Sequence, residues 1–277
     1  MLAIGNIQVH LIDRGQGSPV LFLHGNPDTS EIWNPLIERL GAGHRCIAPD
    51  LPGFGRSTAP HDLDCSLEQM AVFVDSLVTR LGLPVPLSLV VHDIGGQYGL
   101  AWAARHPQKV GRIAIFNTAF SSSYRWTPLH RIWRTPVLGE LAQRLTSRRA
   151  FAREMQRGAS KLGTAQVDAI FDRITPSMKR MALRIFRSTQ LRDFTGWEDE
   201  VRRLLSAIPS LVLWSDDDPY IAPEFADRFG AQCVRHYAGF GHWLLLEATD
   251  LVGRELLAFL EPARSPTAYS TNHPTAT

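Results

Sequence analysis

Cysteine is scarce in this 277-residue chain, and the three that occur, Cys46, Cys65 and Cys233, are odd in number, far apart and never in CxxC spacing. That pattern excludes a disulfide framework and offers no zinc-ligand set, so no metal is expected and a reducing, cytoplasmic setting is. No run reaches the ~18 apolar residues of a membrane span, and residues 1–15 lack a basic stretch leading into a long apolar one. A soluble, non-exported protein with no membrane partner is therefore expected. An excess of one charge is lacking too: 29 Lys and Arg against 27 Asp and Glu leave a formal +2. That is too little to imply a nucleic-acid partner, and no basic helix interleaved with aromatics changes the conclusion. The glycine-rich stretch Asp50-Leu51-Pro52-Gly53-Phe54-Gly55-Arg56-Ser57 has neither GxGxxG nor a GK pair, so it reads as a turn and not a phosphate cradle. No internal repeat is visible. No cofactor is expected.

What is present is an alternation of strands and helices. The length suits one large α/β domain with an insertion, able to bury roughly three quarters of its unfolded surface. Ile7 to Ile12 alternates as an edge strand does, and Val20 to Leu23 is a buried strand running into His24-Gly25-Asn26-Pro27. Ile32, Trp33, Leu36, Ile37 and Leu40 share one helix face, and Arg45 to Ala48 is the next strand. Ser66 with Gln69 predicts a helix start, followed by Leu67, Met70, Phe73, Val74, Leu77, Val78 and Leu81 at helical spacing and a stop near Gly82. After a central strand, a helix through Tyr98 to Ala104 stops before Pro107, and a strand Ile113 to Phe116 ends at Asn117. Such alternation predicts a mostly parallel sheet flanked by helices, with ligands at the carboxyl ends of the strands.

From about Ala119 to Trp197 the alternation lapses into helical stretches such as Leu138 to Leu145 and Met178 to Phe186. Residues 119–197 therefore read as an inserted helical cap, with 1–118 and 198–262 as the core and 263–277 as a disordered Pro, Ser and Thr tail. Arginines recur through the insertion with few acids among them. A solvated outer face is the simpler reading, an anion-attracting entrance the other. The core pattern resumes with a strand at Ser210 to Trp214, Asp216-Asp217-Asp218-Pro219, a helix at Glu224 to Phe229, a strand at Val234 to Tyr237, Gly241-His242 and a last helix at Leu251 to Leu260.

The chemistry gathers between Leu87 and Gly99. An apolar run ends in Val90-Val91-His92-Asp93-Ile94-Gly95-Gly96, so a strand stops and a helix starts within about four residues. Such a turn lifts one side chain above the sheet and aims the first helical N–H groups at whatever that side chain attacks. The lifted residue is Asp93. Unlike serine, a carboxylate is already ionised at neutral pH, and it suits displacement at saturated carbon, because attack on an ester would give a mixed anhydride. The plainer alternative is an Asp that only caps the helix.

Nucleophile, acid and histidine in the order Asp93, Asp218, His242 match the chain order of the α/β-hydrolase triad. With His24-Gly25-Asn26-Pro27, Asp50 to Ser57, His92 to Gly96, Asp218-Pro219 and Gly241-His242, residues 1–262 resemble the α/β-hydrolase superfamily, in its aspartate-nucleophile branch of haloalkane dehalogenases and epoxide hydrolases. The resemblance implies that Asp93 forms an alkyl ester, that His242 activates the water that cleaves it, and that Asp218, favoured over Asp216 and Asp217, orients His242. It also implies an oxyanion hole from the N–H groups of Asn26 and Ile94, each such donor being worth roughly 3 kcal/mol. His24 and His92 read as loop supports.

The resemblance further implies a halide held between Asn26 and a Trp after the nucleophile, where this chain has Ile94, so Trp126 or Trp133 would have to supply the indole. Epoxide opening would draw on insertion tyrosines, of which Tyr124 is present while Phe186-Arg187 stands where a Tyr-Arg pair is expected. The leading expectation is a dehalogenase-like hydrolase acting on a small apolar substrate with water, as a monomer or homodimer. Epoxide hydrolysis, lactone or ester hydrolysis and a non-catalytic binding module are the alternatives.

Overall fold

A computed structural model describes residues 1–261. The expected tail at 263–277 lies outside the described residues. Short strands β1 (Leu2–Ile4) and β2 (Ile7–Val9) form a hairpin, and β3 (Leu11–Arg14) begins the main sheet, so the edge strand expected at Ile7 to Ile12 is broken in two. The core then runs β4 (Ser18–Leu23), α1 (Asn34–Leu40), β5 (His44–Pro49), α2 (Leu67–Arg80), β6 (Leu87–His92), α3 (Ile94–Arg105) and β7 (Val110–Phe116). Five helices follow: α4 (Pro128–Arg134), α5 (Leu138–Leu145), α6 (Arg148–Gly158), α7 (Thr164–Arg173) and α8 (Pro176–Ser188). The chain returns through α9 (Trp197–Ala207), β8 (Ser210–Ser215), α10 (Glu224–Asp227), β9 (Cys233–Tyr237), α11 (Leu244–Glu247) and α12 (Thr249–Leu260). The helix expected at Glu224 to Phe229 is thus a single turn.

The seven strands order β3-β5-β4-β6-β7-β8-β9, all parallel except β3 against β5. β6 lies at the centre, which explains why its sequence is a nearly unbroken apolar run: both faces are covered. Leu89 and Val91 face one buried cluster, with α2 and α3, while Val90 faces the other, with α1 and α12. Period-2 alternation in a strand therefore feeds two cores at once. Ser66 accepts a hydrogen bond from the Gln69 N–H and starts α2 as its sequence predicts, a contact worth about 1 kcal/mol.

The strands end on one side of the sheet, and β4, β6, β7 and β8 each hand over there to a loop that carries polar residues. No helix among the described residues is long and apolar enough to cross a membrane.

Candidate active site

Asp93 closes β6 and opens α3 with φ +48° and ψ −125°, a conformation that costs a non-glycine residue about 1–3 kcal/mol. Its neighbours hold it there. The Asp93 carbonyl accepts from Thr118 Oγ1 at 2.6 Å and from the Gly96 N–H at 2.9 Å. The His24-Gly25 loop presses against the other side: a Cβ on Gly25 would fall 2.6 Å from Asp93 Oδ2, so only glycine allows this approach. The carboxylate accepts the Asn26 N–H at 2.9 Å. Burial raises the Asp93 pKa, while the charge of His242 and the N–H groups of Asn26 and Ile94 oppose that rise.

His242 follows β9 in a loop, and its Nδ1 lies 2.7 Å from Asp218 Oδ2. An acceptor there fixes a proton on Nδ1 and turns Nε2 toward Asp93, whose Oδ1 is 3.9 Å away. That gap is too long for a direct hydrogen bond. Burial alone would lower the His242 pKa, but Asp218, Asp93 and Asp28 outweigh it and carry it up to about 9.

Of the three consecutive aspartates, only Asp218 reaches His242. Asp216 pairs with His236 at 2.7 Å, and Asp217 accepts the Gly239 N–H at 2.8 Å. The Asp218 side chain is fully buried and satisfied: Oδ1 takes the N–H groups of Tyr220 and Ile221, and Oδ2 takes Asn117 Nδ2 at 2.8 Å beside the imidazole. Asn117, at the carboxyl end of β7, also accepts the Ser215 N–H through its Oδ1. Asn117 was not among the candidate residues, although a polar residue at the end of a central strand is a signal that could have marked it.

His24 and His92 are fixed in supporting roles. His24 donates through Nδ1 to the Gly25 carbonyl at 2.7 Å and accepts the Leu51 N–H on Nε2 at 2.9 Å. His92 lies with Nε2 3.0 Å from the carbonyl of His242, and burial pushes its pKa well down. Asp28 is a second residue missed in the sequence. It is buried and accepts the Trp243 indole N–H at 2.9 Å, and burial chiefly raises its pKa to about 6.

A cavity of about 260 Å³ opens above Asp93 and His242, walled by Asn26, Pro27, Tyr220 and Trp243 from the core and by side chains of α4 to α8. Trp133 and Phe186 line it. Tyr124 and Trp126 do not, contrary to expectation. The Tyr124 hydroxyl donates to the Tyr220 carbonyl at 3.2 Å inside the core, and Trp126 packs edge-on against Tyr124 and Phe186 beneath the Arg134 guanidinium. Arg187 points away toward Glu140. Ile94 is 2 % exposed and offers the site its backbone N–H alone. His130, also unforeseen, lines the cavity, stacks on Phe186, and is lowered to about 4 chiefly by burial, so it is a neutral imidazole at physiological pH.

The model of the alpha/beta hydrolase fold family matches residues 18–249. A haloalkane dehalogenase of Agrobacterium fabrum is 39 % identical over 110 residues, which cover 40 % of this chain and 36 % of that relative, little more than a third of its length. A cis-3-alkyl-4-alkyloxetan-2-one decarboxylase of Xanthomonas campestris is 30 % identical over 277 residues, covering 91 % of this chain and 85 % of the relative. Among solved structures, the haloalkane dehalogenase DatA from Agrobacterium tumefaciens superposes with a TM-score of 0.79 at 25 % identity, over 93 % of this chain and 94 % of that one. With its parallel sheet, strand-end loops and family match in agreement, the chain belongs to the α/β-hydrolase fold family.

Proposed function

We propose that this hydrolase displaces a leaving group from a saturated carbon with Asp93, under a cap formed by residues 119–197, and then hydrolyses the resulting alkyl ester. The observation that carries the reading is the pairing of Asp93, strained and aimed into an apolar cavity, with a His242 whose Nε2 stands 3.9 Å away. A carboxylate in that position attacks carbon without losing a proton first. Charge then develops on the ester oxygen, where the N–H groups of Asn26 and Ile94 already converge. The gap beside Nε2 leaves a place for the water that His242 activates, while Asp218 stabilises the imidazolium.

Halide is the first choice of leaving group, because Asn26 and Trp133 both line the cavity and can donate N–H groups to an anion. Epoxide opening loses support, since the hydroxyl of Tyr124 is spent on a carbonyl in the core. Ile94, which offers no indole N–H to a halide, favours a second reading, a strained β-lactone, in which release of ring strain helps the carboxylate depart. Attack by Asp93 at the saturated ring carbon breaks the ring C–O bond. Carbon dioxide can then leave, its bonding electrons forming the alkene as Asp93 departs. The oxetan-2-one decarboxylase named above is in keeping with that route.

A panel of chlorinated and brominated alkanes, a 3,4-dialkyl oxetan-2-one and simple epoxides separates these readings. Halide release is expected, with epoxides inert. Carbon dioxide and alkene from the oxetanone without any halide release would transfer the assignment to the second reading, and inertness toward all of them would overturn both.

The pH profile has a definite sign. Ester hydrolysis needs neutral His242, so kcat rises as pH climbs toward the His242 pKa, about 9 in the free enzyme. Alkylation removes the Asp93 charge that helps raise that pKa, so the limb governing kcat lies lower than the free-enzyme value. A kcat that fell with rising pH through the neutral range would contradict the base role.

A further inference from the structure

Eight large hydrophobic side chains are exposed among the described residues, and five of them, Ile132, Val137, Leu138, Leu141 and Leu145, lie within fourteen consecutive positions spanning α4, the turn after it and α5. Surface apolar residues scattered singly are ordinary, whereas a cluster like this one calls for an explanation. Leu138, Leu141 and Leu145 recur at three- and four-residue spacing, so they form one stripe along α5 with no partner in the fold. Val137, 75 % exposed, extends the stripe from a backbone with φ +68°, a conformation that β-branched residues rarely take.

The surroundings of the stripe say what would cover it. Arg148 is taken up by Asp168 and Asp172, whereas the exposed Arg144, Arg149 and Arg153 make no ion pair among the described residues. An apolar helix face that carries exposed Arg144 on its own helix and is followed at once in the chain by exposed Arg149 and Arg153, none of them in an ion pair among the described residues, matches an anionic lipid surface, where the leucines enter the acyl boundary and the guanidinium groups meet phosphate.

The position of the stripe gives the match a purpose. The adjoining flank of α5, Ala142, Gln143 and Thr146, lines the cavity above Asp93, and the exposed Ala150 at the start of α6 marks its outer end. We propose that the α4–α5 face docks peripherally on anionic bilayers, setting the cavity mouth against the lipid from which an apolar substrate enters. No membrane span is needed for this, so the lack of one in the sequence does not bear on it. The docking is independent of the leaving group at Asp93.

Flotation of the full chain with phosphatidylcholine vesicles, with and without phosphatidylglycerol, tests the proposal. Binding is expected only with the anionic lipid and is expected to weaken with added salt. A Leu141→Glu/Leu145→Glu variant and an Arg144→Glu/Arg149→Glu variant should each bind roughly tenfold or more weakly, because the first removes inserted apolar surface and the second removes lipid-facing charge at about 1 kcal/mol per arginine. All four side chains are exposed, so both variants should melt at the wild-type temperature. Absence of anionic-vesicle binding by the wild-type chain would overturn the proposal. So would binding that both variants retain, or a solution dimer that buries the stripe and is broken by the leucine variant while vesicles are ignored.

Discussion

Replacing His242 by glutamine is expected to leave the first displacement running and stop the second. One equivalent of halide per enzyme should appear in a burst, steady turnover should fall by roughly 10⁴- to 10⁶-fold, and Asp93 should carry the alkyl group as a mass increment. The reason lies in the division of labour around the imidazole. Asp93 is held by its own turn, by Thr118 and by the Asn26 N–H, none of which involves the His242 ring. Asp218 keeps three donors from Asn117, Tyr220 and Ile221 when the imidazole is gone, so the buried carboxylate is not stranded and the fold should survive. Intact-protein mass spectrometry after incubation with a brominated alkane reads the outcome. Full turnover by the variant would remove His242 from the mechanism.

The Asp93→Asn exchange should act one step earlier. An amide keeps the shape and tolerates the positive φ better than most residues, yet it is a very weak nucleophile. Activity should drop by roughly 10⁴- to 10⁶-fold with no burst and no adduct. Thermal stability should be retained or raised, because burial works against the charge that the variant lacks. A comparison of kcat/KM with the melting temperature separates the two effects, and a stable variant that keeps even a hundredth of wild-type activity would exclude Asp93 as the bond-forming group.

The parts of this site that the sequence made legible are those tied to local backbone geometry. Val90 to Gly96 announces a strand, a sharp turn and a helix within seven residues, and Asp93 comes out at that turn. His242 follows a late strand in the same way, while Asp218 is favoured over Asp216 and Asp217 only through the resemblance, which places the acid just before the proline. What stayed hidden depends on packing between distant segments. Asn117 grips Asp218 across 101 positions of chain, and Asp28 accepts from Trp243 across 215. Neither contact leaves a periodic trace in the sequence.

The cavity walls show the same division. The sequence predicts helical stretches between residues 119 and 197, and the chain does run through α4 to α8 there, but which of the aromatics face the cavity depends on packing between distant segments. Trp133 and Phe186 turn to the cavity, while Tyr124 and Trp126 pack away from it. His130 comes between them, stacked on Phe186. Tyr124 and Trp126 lie in the segment before α4, where no helical period marks an inward side.

The central claim is that an oxygen of Asp93 itself bonds to the substrate carbon. Multiple-turnover hydrolysis of a haloalkane in ¹⁸O-labelled water, followed by mass analysis of the peptide containing residue 93, tests it most directly. The account predicts that the label enters the Asp93 carboxylate, because water cleaves the ester at its carbonyl carbon. Label confined to the product alcohol, with Asp93 unlabelled, would mean that water attacks the substrate directly and would contradict it.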